Sequence, residues 1–276
     1  MKITVSQKKK KGFAMNFMFC LITGLFVLMT GCAGPRQNTD ILFQTSVIDA
    51  LLAGVYDGET ACGELLEHGD FGIGTFEALD GEMIILDGTV YQVKADGNVH
   101  EPGPLTKTPF ATVCYFTPQK KITIESGADF KAVEALIDRA APNQNLFTAI
   151  KITGHFKTML TRSVPRQTKP YPPLKEITAN QPEFSMQNIS GTIVGFRCPP
   201  YVQGINVPGY HLHFVDNRLR IGGHILGFEI DAAKCELDVL NKYFLVLPTD
   251  IEGFAETDLS SDRSEELKKV ETGKKD

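Results

Sequence analysis

The stretch that most restricts this chain is Gly209-Tyr210-His211-Leu212-His213-Phe214-Val215-Asp216, followed by Gly222-Gly223-His224-Ile225-Leu226-Gly227-Phe228. Three of the chain's six histidines lie in it. Tyr210, Leu212 and Phe214 alternate with His211 and His213, the period-two pattern of a strand. Alternation sends successive side chains to opposite faces, so His211 and His213 share one face. The segment between the two runs, Asn217-Arg218-Leu219-Arg220-Ile221-Gly222-Gly223, has the glycines and length of a hairpin loop or bulge. If the runs pair antiparallel, His224 can face the other two imidazoles. Three nitrogen donors with one position open is the arrangement of a catalytic rather than a structural zinc site. A polar hairpin face that holds no metal is the alternative this spacing leaves open.

The N-terminus reads as an address. Lys8, Lys9, Lys10 and Lys11 precede an apolar run, residues 17–29, of about the length of a signal-peptide core and short for a membrane span. It ends in Leu28-Met29-Thr30-Gly31-Cys32, where small residues before a cysteine resemble a bacterial lipobox. The expected product is an exported lipoprotein of the cell envelope. Residues 1–31 are then the signal peptide, Cys32 carries the lipid anchor, and residues 32–40 form a tether. An uncleaved membrane anchor is the alternative.

The chain carries a net charge of −5, and residues 1–31 hold five lysines and no acid, so the remainder stands near −10. That balance offers no basic face for nucleic acid. Cys62, Cys114, Cys198 and Cys235 are sparse and form no CxxC pair, which makes free buried cysteines the expectation and a thiolate metal site improbable.

Ile41-Leu42-Phe43-Gln44 reads as a first strand, and Ser46 as the cap of a helix through Val47, Leu51, Leu52 and Val55. Residues 61–68 suggest another short helix. From Phe71 short strands follow, separated by the hairpin signals Asp80-Gly81 and Asp87-Gly88. Spacing alone makes Glu82 an exposed acid at a hairpin corner and Arg162 a solvated strand-end arginine. Arg162 could otherwise take a carboxylate bidentately. Ser126 or Asp129 starts a helix with Phe130, Val133, Leu136 and Ile137 inward, stopped near Pro142. The proline-dense Lys169-Pro170-Tyr171-Pro172-Pro173-Leu174 is the natural linker or crossover. Residues 184–198, 225–230 and 243–247 read as strands, and residues 260–269 as a short terminal helix. His68 and His155 stand apart as surface or structural histidines. The reading is a mixed α/β (α+β) chain with strand-rich halves.

The histidine block resembles the zinc site of the α-acetolactate decarboxylases. So do Gly195-Phe196-Arg197-Cys198-Pro199 and Gly204-Ile205-Asn206-Val207-Pro208. The likeness continues upstream in Ala53-Gly54-Val55-Tyr56-Asp57-Gly58, Gly69-Asp70-Phe71-Gly72-Ile73-Gly74-Thr75-Phe76, Leu79-Asp80-Gly81-Glu82-Met83 and Arg162-Ser163-Val164-Pro165-Arg166-Gln167. The resemblance implies zinc ligands His211, His213 and His224, an active-site carboxylate at Glu82 with a hydroxyl at Thr75, and Arg162 beside the metal. It also implies a glutamate from the C-terminal tail, Glu271 or else the Glu265-Glu266 pair. The implied fold has two domains in a homodimer. Residues 41–168 form an N-terminal mixed sheet with helices and residues 169–259 a barrel-like zinc-binding sheet, with residues 260–276 as a terminal helix and tail. The implied activity is zinc-dependent decarboxylation of 2-acetolactate to acetoin and CO2. Two other functions fit three histidines: an exported zinc hydrolase, and a non-enzymatic zinc-binding lipoprotein. A pure metal binder would need neither Glu82 nor Arg162.

Overall fold

The computed structural model describes residues 40–272. The signal segment and Cys32 lie outside the described residues, among which no helix is long and apolar enough to cross a membrane.

In the first half, β1 (Ile41–Thr45) leads to α1 (Ile48–Leu52), and β2 (Thr60–Ala61) to α2 (Cys62–Leu65). Then come β3 (Phe71–Thr75), β4 (Glu82–Leu86), β5 (Thr89–Val93), β6 (Val99–His100), β7 (Lys107–Thr108), β8 (Ala111–Cys114), β9 (Lys120–Ile124) and α3 (Phe130–Ala140). The second half holds β10 (Phe147–Arg162), α4 (Leu174–Thr178), β11 (Glu183–Cys198), β12 (Gly209–Asp216), β13 (Gly222–Leu240) and β14 (Lys242–Val246). Two helices, α5 (Glu252–Glu256) and α6 (Ser264–Thr272), follow.

Local chemistry accounts for several of these boundaries. The Asp129 carboxylate accepts the Ala132 N–H at 2.8 Å and so caps α3, answering one of the orphan donors of its first turn. Val133 and Ile137 are its buried stripe. The β4–β5 hairpin turns through Asp87 and Gly88 at φ of 51° and 78°, the left-handed pair that matches strand twist. Ser46 does not cap α1 as its sequence position suggests. It sits at φ 60°, and the helix's first donors go instead to the loop ahead of β12, Ile48 N–H to Ile205 O and Asp49 N–H to Gly204 O. That loop is distant in sequence, so the cap cannot be read locally.

A seven-stranded sheet runs in the order β14-β1-β8-β3-β4-β5-β6, and a five-stranded sheet in the order β10-β11-β12-β13-β9. Their inner faces meet in one apolar layer, with Leu42, Ile73 and Ile84 from the first against Val194, Phe196 and Val215 from the second. Strand β10 pairs along its length with both β11 and β13, whereas β12 meets β13 over three residue pairs only. The sheet therefore folds back around the hairpin; it is not a closed barrel, and the barrel-like character that the resemblance implies goes no further than this fold-back. The expected boundary at residues 168/169 is crossed in both directions. β9 and β10, which precede that boundary, both lie in the five-stranded sheet, and β14, which follows it, pairs parallel with β1. Cys62, Cys114, Cys198 and Cys235 are free and buried, as expected.

Candidate active site

Strand register assembles the site. In the β12–β13 hairpin His213 lies directly opposite His224, with His211 two residues away on the same face. In the β10–β13 pair Arg162 lies opposite the same His224. Gly223 makes that approach possible. Its φ is +130°, and a Cβ there would stand 2.3 Å from the Arg162 carbonyl oxygen, so any side chain would push the two strands apart. From the other sheet, Thr75 of β3 lies opposite Glu82 of β4. The Thr75 hydroxyl donates to Gly81 O at 2.7 Å, which ties the turn to the strand at the point where Glu82 leaves it. Helix α6 supplies Glu271.

All of these side chains line one cavity of about 40 Å³ except His213, which is fully buried behind it. Both Glu82 and Arg162 are buried, against what their spacing suggests, because each faces the opposite sheet rather than solvent. The Arg162 Nη1 is 3.5 Å from Glu82 Oε1, and Glu82 Oε2 is 3.6 Å from His213 Nε2. On the other wall, Glu271 Oε2 stands 3.9 Å from His211 Nε2 and 3.8 Å from His224 Nε2, and the Glu271 carbonyl oxygen is 3.2 Å from His224 Nε2. Of the three tail glutamates considered, Glu271 alone reaches the histidines: Glu266 pairs with Arg263 and Glu265 is exposed.

The donor set fits a metal ion. The three imidazoles present nitrogens within 4.8 Å of one another, and the Nε2 atoms of His211 and His213 are 3.2 Å apart. Two nitrogens each about 2.0–2.1 Å from one tetrahedral ion would be separated by about 3.3 Å. His213 donates through Nδ1 to the Met83 carbonyl at 2.9 Å, which fixes the tautomer and leaves Nε2 a free lone pair. Met83 directly follows Glu82, so β4 positions both an acid and a metal-facing imidazole. Burial pushes His211 down to about 3, with Arg162 adding to the effect. His213 and His224 also fall well below the usual range, burial first and neighbouring positive groups after it. All three are neutral at ordinary pH, the form that binds metal.

Burial likewise raises both carboxyls to about 7. For Glu82 the rise is opposed by Arg162 and reinforced by Glu271; for Glu271 it is opposed by Arg162. Arg162 completes the chemistry. Its Nε is buried with no hydrogen-bond partner, and its contact with Glu82 at 3.5 Å is long for a charge-assisted bond. A buried guanidinium that lines a cavity with one donor unmade is suited to receive an anion.

The opposite half of the cavity is apolar, and Leu51, Phe110, Leu174 and Val270 belong to it. Sequence reasoning assigned none of these to the site, because each reads as ordinary core and only the fold gathers them. His68 and His155 stay apart, as expected. The first stacks on Phe43 at 3.8 Å between centroids, and the second has Nδ1 3.0 Å from Ser190 Oγ.

A neutral three-imidazole cluster and a buried arginine at one cavity define a metal-competent centre of small-molecule size. Comparison with known proteins gives the particular family. The α-acetolactate decarboxylase family pattern matches residues 42–261. The α-acetolactate decarboxylase of Methylococcus capsulatus is 45% identical over 230 residues, covering 83% of this chain and 88% of that protein. That of Methanosarcina mazei is 44% identical, covering 86% and 82%. The crystal structure of the Bacillus subtilis strain 168 enzyme superposes with a TM-score of 0.82 at 37% identity, covering 85% of this chain and all of that one. The chain belongs to the α-acetolactate decarboxylase family, whose members are carboxy-lyases. Glu271 lies beyond the residues that the family pattern matches.

Proposed function

We propose that this protein decarboxylates 2-acetolactate to acetoin and CO2 with zinc held by His211, His213 and His224. The observation that carries the reading is buried Arg162, with one donor unmade, in the lining of the cavity that His211 and His224 also line. A hydrolase working through activated water would not need a buried cation poised for a carboxylate.

2-Acetolactate bears a carboxylate, a hydroxyl and a ketone on adjacent carbons. Breaking the bond to the carboxylate leaves its electron pair on the neighbouring carbon, delocalised onto the former ketone oxygen. Zinc supplies Lewis acidity for the charge that develops on that oxygen. The chain's own residues do the rest. Arg162 takes the carboxylate and orients it, then remains as a fixed positive charge as CO2 departs. Glu82 on one wall and Glu271 on the other bracket the carbon that must be protonated, and whichever delivers the proton sets the hand of the product. Thr75 holds the Glu82 turn in place through Gly81. The apolar half of the cavity excludes water from the electron-rich intermediate.

Purified protein given racemic 2-acetolactate is expected to release acetoin and CO2, and a strong chelator to stop it, with zinc restoring turnover. Identical behaviour of chelated and untreated protein would sink the zinc reading. Hydrolysis of acyl esters without acetolactate turnover would sink the decarboxylase reading.

We also propose that the chain acts outside the cytoplasm, anchored through Cys32 and drawing on excreted acetolactate. Mass spectrometry of the mature N-terminus should find a lipidated Cys32; an unmodified N-terminus starting at Met1 would overturn this.

A further inference from the structure

The proline-dense segment before α4, which reads in sequence as a linker or crossover, is pinned to the loop after α1. Tyr56 Oη donates to Pro172 O at 2.9 Å, Tyr171 Oη donates to Asp57 Oδ1 at 3.1 Å, and Lys169 Nζ pairs with Asp57 Oδ2 at 2.5 Å. Gly54, at φ +98°, brings its backbone close beneath Pro172, since a Cβ there would lie 3.2 Å from the Pro172 carbonyl oxygen. A free linker would show none of these ties. Their effect is to set the depth at which the next residue, Leu174, enters the cavity.

Leu174 lines the active-site cavity beside Leu51 of α1 and Val270 of α6. Three residues on, Ile177 is buried in the same apolar cluster but is not part of the cavity wall. One short helix thus carries two buried side chains, one facing the cavity and one packed behind it.

From this arrangement we propose that Leu174 is a specificity residue that limits the size of the alkyl group on C2 of the substrate. The inference rests on the decarboxylase reading given above. The carboxylate, hydroxyl and ketone of a 2-hydroxy-3-oxo acid all have polar or charged partners in the cavity. Its alkyl substituents are left to the apolar wall. With Leu174 held down by a pinned segment against this wall, a methyl is accepted and each further methylene meets Leu174. Apolar pockets separate substrates differing by one methylene by roughly 10–200-fold.

The test compares kcat/KM for 2-acetolactate with that for its C2-ethyl and C2-propyl homologues, within one preparation of each protein. The ratio cancels the active fraction, so a partly unfolded variant still reports. Wild type should lose about tenfold or more per added methylene. Leu174→Ala should raise the propyl-to-methyl ratio by about tenfold or more. Ile177→Ala loosens the same helix without touching the cavity and should leave the ratio at the wild-type value. If Leu174→Ala gives no soluble protein, Leu174→Val is measured in its place, with a smaller shift in the same direction expected. An unmoved ratio in the Leu174 variant, or an equal shift in Ile177→Ala, overturns the inference while leaving decarboxylation intact. A wild-type protein that turns over none of the three substrates overturns the decarboxylase reading and this inference with it.

Discussion

Arg162 carries a charge that the protein only half answers. Its nearest carboxylate, Glu82, is 3.5 Å away and itself buried, and its Nε has no partner. Leaving a buried donor unmade costs about 1–3 kcal/mol; the Nε atoms of Arg197 and Arg263 are unmade as well, and what sets Arg162 apart is its place in the lining of the cavity with His211 and His224. The arrangement makes sense if substrate supplies the missing acceptor. Arg162→Ala should therefore keep its metal and its fold while kcat/KM falls on the order of a hundredfold to a thousandfold, the scale seen when a preorganised charge partner is removed. Arg162→Lys should recover little, because a point charge cannot present two parallel donors. Elemental analysis of the purified variants decides between roles: zinc lost along with activity would make Arg162 a structural support for the adjacent His224.

Legibility differed among elements for physical reasons. The β12–β13 hairpin was readable because alternation and a glycine-bearing loop are local signals, and its register does bring His224 opposite His213. The long strands were only partly readable. Residues 225–230 gave one short strand in sequence, yet β13 runs from Gly222 to Leu240. The pairing of β10 with β13 shifts register beside His155, Phe156 and Leu160, and each bulge moves the following side chains to the other face, erasing the period-two pattern. Burial of Glu82 and Arg162 was not readable from either strand, because each is covered by the opposite sheet. Their roles came through the family resemblance and not through spacing. Glu271 was one of three glutamates that sequence left open; helix α6 decides among them by burying Leu267 and Val270, which turns the next residue toward the histidines. The segment before α4 reads as a linker or crossover, and it does connect β10 to β11; that it is pinned is not legible locally, since its ties to Asp57 and Tyr56 are long-range.

At the scale of the whole molecule the two halves exchange strands, and the active site lies where they do so. β1 holds β14 from the far end of the chain, while β13 holds β9 from the first half, and described residues 40–272 form one compact unit. A fragment ending at residue 168 would leave β9 with no neighbouring strand and expose the inner face of the seven-stranded sheet, including Leu42, Ile73 and Ile84. Exposed apolar edges of that kind associate rather than fold. Residues 41–168 expressed alone should consequently be aggregated or lack a dispersed amide spectrum, and residues 41–276 should unfold in a single calorimetric transition with far- and near-ultraviolet circular dichroism lost together. Because Glu82 and Arg162 lie before residue 168 and the three histidines after it, loss of activity should track that same transition. A soluble, cooperatively folded 41–168 fragment, or two resolved transitions in the intact chain, would mean that the exchanged strands contribute little and that the halves are separate folding units after all.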